Sequence, residues 1–557
     1  MTKSFYLIWR NIYIRRLIRN HVCQDLVFDV LVDGWQKLDD IDYKYLSLFT
    51  DKEKLDYNIS IRLKGRDVVE QYVDNQFYDL INDVDIKYYV EDILDFSVFH
   101  RSVQKLSLTI AHRSSTAINQ LPSSLTYLYV DCPRHSPQVL KHILSSLPTN
   151  LKTLRLQETL DENMITSECR LPDSLTNLDF SSVYNNFKWF VVPPNKVFKH
   201  SILVVDSMDA ITWLKSNKWI QTIFVVSTGK YIEVSSANPI PEHAINVTIN
   251  SNVDLIEKGI VFSPQLELLK CDYGIPFSHY THLRALILNG YPEKLEMHVL
   301  PITTQLLQIS SYNQPLEANV LPPNLTKLTL DNFNQPLSQG ILPNSLTELS
   351  LREFDHPLMP FVLPPNLTEL NIANFKQQAT ISPNTLPSSL TYLDMGSFTG
   401  SFEPLCQPLD HLTDLLISSL DPTVSTILRN VKDLDLSIET IPNARYGTCL
   451  FNTGIETLYL QIPNTCSLYP KSFPPTIKNL TLDNFKIQSK GVIPSTCKYL
   501  KSLSMLIYPD FIPKSTIYKK IDDDSDSDDS DDDDSDDSGG DSDDFDEDSD
   551  YTDDDSL

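Results

Sequence analysis

LPPNLTKLTLDNFNQPLSQGILPNSLTELSL, residues 321–351, states one phrase twice: LPPNLTKLTL, then LPNSLTELSL twenty-one residues later. The same phrase stands at 121–130, 147–156, 171–180, 363–372 and 386–395, and as FPPTIKNLTL at 473–482. Its common form is L-P-x-[SN]-L-T-x-L-x-L. With the leucine after [SN] as anchor, weaker copies follow at Val103, Ile220, Ala244, Leu266, Leu283, Thr304, Leu412, Val431, Ile455 and Cys497, and a poorer one near Ile202. About nineteen units thus run from Val103 to Cys497, spaced 17 to 27 residues apart. A fixed period of that size is the signature of a stacked solenoid, in which no single unit can bury its apolar face alone.

Within each unit, L-x-x-L-x-L alternates apolar and free positions, the period of a strand with one buried face. Parallel strands cannot be joined by a tight turn, so the rest of each unit must travel around the outside and return. That return path is patterned too. Tyr312, Phe333 and Phe354 are each followed by Pro-Leu (Pro315-Leu316, Pro336-Leu337, Pro357-Leu358), and Phe375, Phe398 and Phe485 keep the aromatic without the proline. One aromatic per turn predicts a second buried column opposite the leucines. Proline lacks a backbone N–H and has a fixed φ, so the outer wall is expected to be extended segments and turns.

The stretch Phe333–Leu351, F-N-Q-P-L-x-x-G-x-L-P-x-S-L-T-x-L-x-L, resembles the FNIP repeat, a relative of the leucine-rich repeat. The resemblance is clearest between 300 and 395, extends over FNIP-like units in 300–505, and is degenerate in 101–299. It implies a mainly β, leucine-rich-repeat-like solenoid with parallel strands, and it implies architecture more firmly than activity. Phe354-Asp355-His356-Pro357 departs from F-N-x-P, so an asparagine ladder is expected to cover only Asn313 and Asn334.

Residues 1–100 do not repeat and are expected to form a small helical cap. Between Phe5 and Asn20, Leu7, Ile8, Ile12, Ile14, Leu17 and Ile18 fall near one side of a helix, with Arg10, Arg15, Arg16 and Arg19 mostly elsewhere, a pattern suited to covering the open edge of the first strand. The run LIWRNIYIRRLI also resembles the last helix of an F-box, without that domain's opening L-P-x-E; this resemblance implies recruitment of ubiquitin-ligase subunits. NISIRLKG (58–65) reads as a strand and 68–84 as a helix. At the other end, the 36 residues 522–557 hold 22 Asp or Glu and no Lys or Arg, which predicts a disordered acidic tail. Ser525, Ser530 and Ser538 each precede an Asp by three residues, as acidophilic kinases prefer.

The net charge of −28 therefore belongs mostly to the tail, and the other 521 residues carry −6. No apolar run reaches the ~18 residues of a membrane span. The basic first 24 residues would suit a mitochondrial presequence, which expects more serine. The eight cysteines are scattered, without C-x-x-C pairs, pointing to a reducing compartment, cytoplasmic or nuclear, and to no bound metal. There is no Gly-rich phosphate loop, H-E-x-x-H or G-x-S-x-G, so the reading is non-enzymatic and without cofactors.

Function is then expected at the free positions of L-T-x-L-x-L, which point away from the core. In the middle units these are Phe224, Leu268, Ala285, Ile287 and Leu306; later they are Lys327, Glu348, Glu369, Asp394, Asp414, Asp433 and Asp435. An apolar zone followed by an acidic stripe suits a basic or amphipathic protein partner and repels nucleic acid. A one-residue slip of register in 196–299 would bury the apolar set instead.

Overall fold

The computed structural model describes residues 12–520 except 33–34, 37–43, 66–67, 76, 90–92, 111–115, 133–136, 158–162, 227–239, 251–261, 273–275 and 378. Leu7, Ile8, Arg10, Ser525, Ser530 and Ser538 lie outside the described residues. One sheet runs the length of the chain. Among the described residues it has 24 strands, of which 23 are parallel and one, Trp35–Gln36, pairs antiparallel with the first strand, Val27–Val32. From Lys105–Ile110 to Tyr499–Ser502 there is one strand for each of the nineteen anchors.

The phrase itself is explained by three hydrogen bonds on one carbonyl. Thr326 O accepts from Thr347 N (2.8 Å), Glu348 N (3.0 Å) and Thr347 Oγ1 (3.1 Å) of the next turn. Thr347 O does the same for Thr368 and Glu369, and Thr368 O for Thr391 and Tyr392. The serine of P-x-S-L fastens the turn before: Ser345 Oγ donates to Leu325 O (2.7 Å) and Ser389 Oγ to Leu367 O (2.6 Å). The proline opens a tight turn closed by the anchor, as in Leu325 N to Pro322 O (3.1 Å). Each unit therefore satisfies the backbone of its neighbour where a buried strand entrance would otherwise leave polar groups unpaired.

Beneath these bonds, Leu325, Leu328 and Leu330 stack on Leu346, Leu349 and Leu351, all essentially inaccessible. The expected aromatic column is present: Tyr312 stacks on Phe333 (6.4 Å between centroids), Phe354 on Phe375 (6.3 Å) and Phe375 on Phe398 (5.8 Å). Leu316, Leu337 and Leu358 of the Pro-Leu pairs are buried beside it. The glycine of the phrase, Gly340, sits at φ 84°, and His298, Asn319 and Phe361 hold the same left-handed position in neighbouring units. The polar ladder of the return path is longer than expected. Asn313 Oδ1 accepts from Asn334 N, Asn334 Oδ1 from Asp355 N, and Asp355 Oδ1 from Lys376 N and Gln377 N, because a carboxylate oxygen serves where only an acceptor is needed.

The described residues before 100 contribute strands as well as helices. Val27–Val32, Ser60–Gly65 and Asp83–Tyr89 are further parallel strands of the same sheet, in register through Asp29–Arg62, Arg62–Asp83 and Asp83–Lys105. The helix expected over 68–84 is only Val68–Asp74. Buried Asn82 replaces the threonine: its carbonyl accepts from Gln104 N and Lys105 N, and its side chain bonds Ile61 N and Ile59 O. A final strand, Ile517–Lys520, follows the nineteenth unit.

Thr304 stands in the leucine anchor column, inaccessible, with its hydroxyl unpaired. Thr304→Val keeps the shape and removes that group, so it is expected to stabilise the fold by ~1–2 kcal/mol. An upward shift of the urea midpoint at unchanged slope would show it; a lower midpoint would contradict the reading.

Candidate protein-binding face

Side chains opposite the leucines line the open face of the sheet in two columns set by the parallel register. Through the middle of the chain one column runs Leu268, Ala285, Leu306, Lys327, Glu348, Glu369 and Tyr392, and continues to Asp414 and Asp435. The second passes through Phe224, Thr248, Lys270, Ile287 and Gln308. Phe224 and Ile287 are half-buried between two fully buried neighbours, and Leu268 and Leu306 are half-buried immediately before buried Leu269 and Leu307, so the register in 196–299 is the one that turns them outward. The poor anchor near Ile202 is misplaced: Ile202 faces outward in register with Thr222, while Leu203 and Val205 fill the core.

Two shallow grooves lie on this face. One, of about 570 Å³, is lined by Ile202, Thr222, Phe224, Thr248, Lys270 and Asn289. The other, of about 440 Å³, is lined by Lys327, Thr329, Glu348, Arg352, Glu369 and Tyr392. The first combines aliphatic and aromatic carbon with one lysine, and the second is polar and mixed in charge.

The acidic stripe is less uniform than its sequence suggests. Lys327 Nζ pairs with Glu348, which leaves exposed Glu369 next in the column. Asp394 is buried, its carboxylate accepting from Gly396 N (3.0 Å) in a local turn, and burial raises its pKa. It belongs to the scaffold. Asp433 does not align with Asp414: the ladder slips by two, so Asp414 pairs with Asp435 and Asp433 with Thr457. Asp414 and Asp435 are therefore like charges directly opposite one another, an arrangement that destabilises a sheet. Burial first and Asp414 second hold the Asp435 carboxyl above its ordinary range.

The FNIP repeat as a sequence family matches residues 312–353, 354–398 and 466–501. The chain carries FNIP repeats. Among solved structures it is similar to CroV588, described as a novel circular leucine-rich-repeat protein, at 19% identity, covering 83% of this chain and 69% of that one, with a TM-score of 0.43. YopM from Yersinia enterocolitica shares 15% identity over 75% of this chain and 92% of that one (TM-score 0.32). A chain of the mouse RP105/MD-1 complex shares 14% over 77% and 88% (TM-score 0.40). No curated protein matches the chain. The matched FNIP repeats include the second groove and the aromatic column, whereas Phe224, Leu268, Ile287 and the pair Asp414–Asp435 fall in turns the family does not match.

Ahead of the repeats, the helix Ile12–Val22 inverts the expected packing. Its inward side is polar: Arg16, Arg19 and Asn20 all reach the Glu53 carboxylate, with Arg19 at 3.1 Å and Asn20 at 2.6 Å, and Thr50 adds backbone and hydroxyl donors at 3.0 and 2.9 Å. Ile12, Leu17, Ile18 and Val22 stay exposed instead of covering the first strand. A single carboxylate meeting two guanidinium groups draws the polar side in and overrides the weak burial of four aliphatic chains. Among the described residues no helix is long and apolar enough to cross a membrane, and no cluster of His, Cys, Asp or Glu could hold a metal.

Glu53 is held well below the usual carboxylate range, chiefly by its bond from Arg16. A depressed acid adds stability above its unfolded pKa and loses it as pH falls below about 4. Trypsin cleavage at Arg16 and Arg19 is therefore expected to accelerate in Glu53→Ala at pH 8, with the rest of the chain intact; unchanged cleavage would show that Glu53 does not hold the helix. Asp435→Asn relieves the like-charge pair and is expected to raise stability at pH 7 by ~0.2–1 kcal/mol. Because the folded pKa of Asp435 is raised, its penalty grows as pH rises through the carboxylate range, so the gain should vanish at acid pH. A thermal melt of both proteins at pH 7 and at pH 4 checks the sign.

Proposed function

We propose that this chain is a non-enzymatic scaffold that captures a protein partner on the open face of the sheet. The observation that carries the reading is the placement, on one continuous face, of half-buried Phe224, Leu268, Ile287 and Leu306 beside the acids Glu369, Asp414 and Asp435. Carbon surface is left in shallow grooves, and two carboxylates are kept in register at a cost in stability. A partner that brings aliphatic or aromatic side chains followed by lysine or arginine would bury the first and neutralise the second. Nucleic acid would oppose the acidic section. A reducing compartment, cytoplasm or nucleus, fits the eight free thiols.

Ile287→Asp and Leu306→Asp are expected to weaken a captured partner at least about tenfold, and Asp414→Lys with Asp435→Lys to do so with a loss of salt dependence. Full-length protein immobilised against cell extract supplies the partner, and titration of the purified pair supplies the affinities. Melting midpoints should stay near wild type, since both apolar positions face outward. Unchanged affinity in all three variants would sink the proposal.

A second reading is recruitment of ubiquitin-ligase subunits by the N-terminus, supported by the outward apolar side chains of Ile12, Ile18 and Val22. Removing residues 1–100 would strip four strands from the sheet, so the fair comparison is full-length protein against Ile12→Asp/Ile18→Asp. Ligase subunits lost only from the variant favour this reading, and none in either excludes it.

A further inference from the structure

The last turns of the solenoid reverse the charge of everything before them. Residues 471–520 contain nine lysines against two acids, Asp483 and Asp510, in a body that carries −6 overall. On the open face, Lys501 and Lys519 stand directly opposite one another in the parallel register of Tyr499–Ser502 and Ile517–Lys520. Like charges so placed destabilise the pairing. At three other places on this face a cation has a neighbouring acid: Arg62 with Asp83, Arg155 with Asp179, Lys327 with Glu348. Lys498, Lys501, Lys514 and Lys519 are exposed and have no acidic partner among the described residues.

Beside this lysine pair lies an open groove of about 730 Å³ lined by Lys478, Lys498, Tyr499, Thr496, Pro475 and Ile517. Its one acid, Glu456, is already taken by Lys478 and by Lys432 at 3.5 Å. Tyr499 and Ile517 are more than half exposed. The groove thus presents cations with carbon between them, in a place where the sheet ends.

The chain continues from this same edge into its acidic segment. We infer that residues 522–557 dock back, within the same molecule, onto the lysine face formed by Lys498, Lys501 and Lys519. The first acids of the segment follow Lys520 by two residues, so the tether is short. A random-coil chain of 36 residues has a root-mean-square reach of ~30 Å, whereas the lysine face spans one strand spacing, ~5 Å, and three residues along the strand, ~10 Å. Intramolecular tethering of this kind corresponds to a millimolar effective concentration, enough for a weak electrostatic contact to be populated. The N-terminal arginines are poorer hosts, because Arg16 and Arg19 are already committed to Glu53. In the acidic stripe, Asp435 lies three strands and Asp414 four strands before Lys501, ~14 Å and ~19 Å away, beyond the ~8 Å screening length of physiological salt. Phosphorylation at Ser525, Ser530 or Ser538 would add about −1.5 to −2 each and tighten the contact.

Carbodiimide coupling of full-length protein, read by mass spectrometry, tests this, since it joins a carboxylate to a lysine amine in contact. Lys486 and Lys490 belong to the same turns but lie beyond the left-handed residue Asn484, off the open face, and serve as exposed controls. Tail links to Lys498 and Lys501 are expected to exceed those to Lys486 and Lys490 by about fivefold in 50 mM salt and to equalise in 1 M salt, where screening shortens to ~3 Å. In a mixture of isotopically light and heavy protein the links should join like to like. Equal coupling to all four lysines at low salt would show a tether without a docking site, and light-to-heavy links would show a contact between copies; either result overturns the inference.

Discussion

Everything in this molecule depends on one backbone carbonyl per turn receiving donors from the next. Thr326 O, Thr347 O and Thr368 O each take two amides and a hydroxyl, and the same carbonyl position recurs as Asn82, Gln104, Thr126, Lys152, Gln221, Ile245, Glu267, Arg284 and Gln305 in earlier turns. It continues through Thr391, Lys432, Glu456, Lys478 and Lys498 in later ones. An unpaired buried amide costs ~1–3 kcal/mol, so a turn that missed this contact would unfasten both its own strand and the next. The leucines supply the larger free energy, but they are non-directional and could slide by a strand residue; the carbonyl fixes the register.

That division of labour explains why the outward residues are free to vary. Once the carbonyl and the leucines specify a turn, the two outward positions of each strand are left with little structural duty. Most of the face uses that freedom to balance charge, as in Arg62–Asp83 and Lys327–Glu348. Asp414–Asp435 and Lys501–Lys519 do not, and each places like charges where the lattice gives no relief. In a solenoid such pairs are tolerable because stability is a sum over neighbours, and a locally weak junction is held by the turns on either side. The two pairs have opposite sign and are separated by Tyr459 and Thr481, so each can answer to its own counter-charge.

The regular part of the fold was legible because leucine and threonine each carry out a distinct, repeated task. Nineteen anchors correspond to nineteen strands, and outward Phe224, Leu268, Ile287 and Leu306 were readable even where the phrase decays. The turns before residue 100 were not legible, since the ladder needs a carbonyl and any residue supplies one: Asn82 and Gln104 do so without the L-T phrase. The two-residue slip between Asp414 and Asp435 was hidden for a related reason. Asp433-Leu434-Asp435-Leu436 offers two equivalent alternations, and only Asp435 N bonding to Thr413 O (2.7 Å) selects between them. Asp394 looked like its neighbours in sequence, yet a glycine two residues on gives its carboxylate a backbone donor and takes it out of the face.

The two ends of the sheet show how far the same logic extends. At the start, Val27–Val32 is covered along its edge by Trp35–Gln36, a conventional closure by backbone pairing. The helix that precedes it contributes an ion pair and leaves its aliphatic chains outside. At the finish no further strand follows Ile517–Lys520 among the described residues, and the edge is guarded by charge, with Lys519 and Lys520 exposed at its tip. Charge alone discourages another sheet from adding on, but lysines stacked in register repel each other as well as an intruder. A counter-charge delivered by the chain itself would relieve the first repulsion while keeping the edge closed to strand addition, since a run of aspartate and serine is a poor β-former. Edge protection and charge relief are then one requirement, met by the residues that leave the last strand.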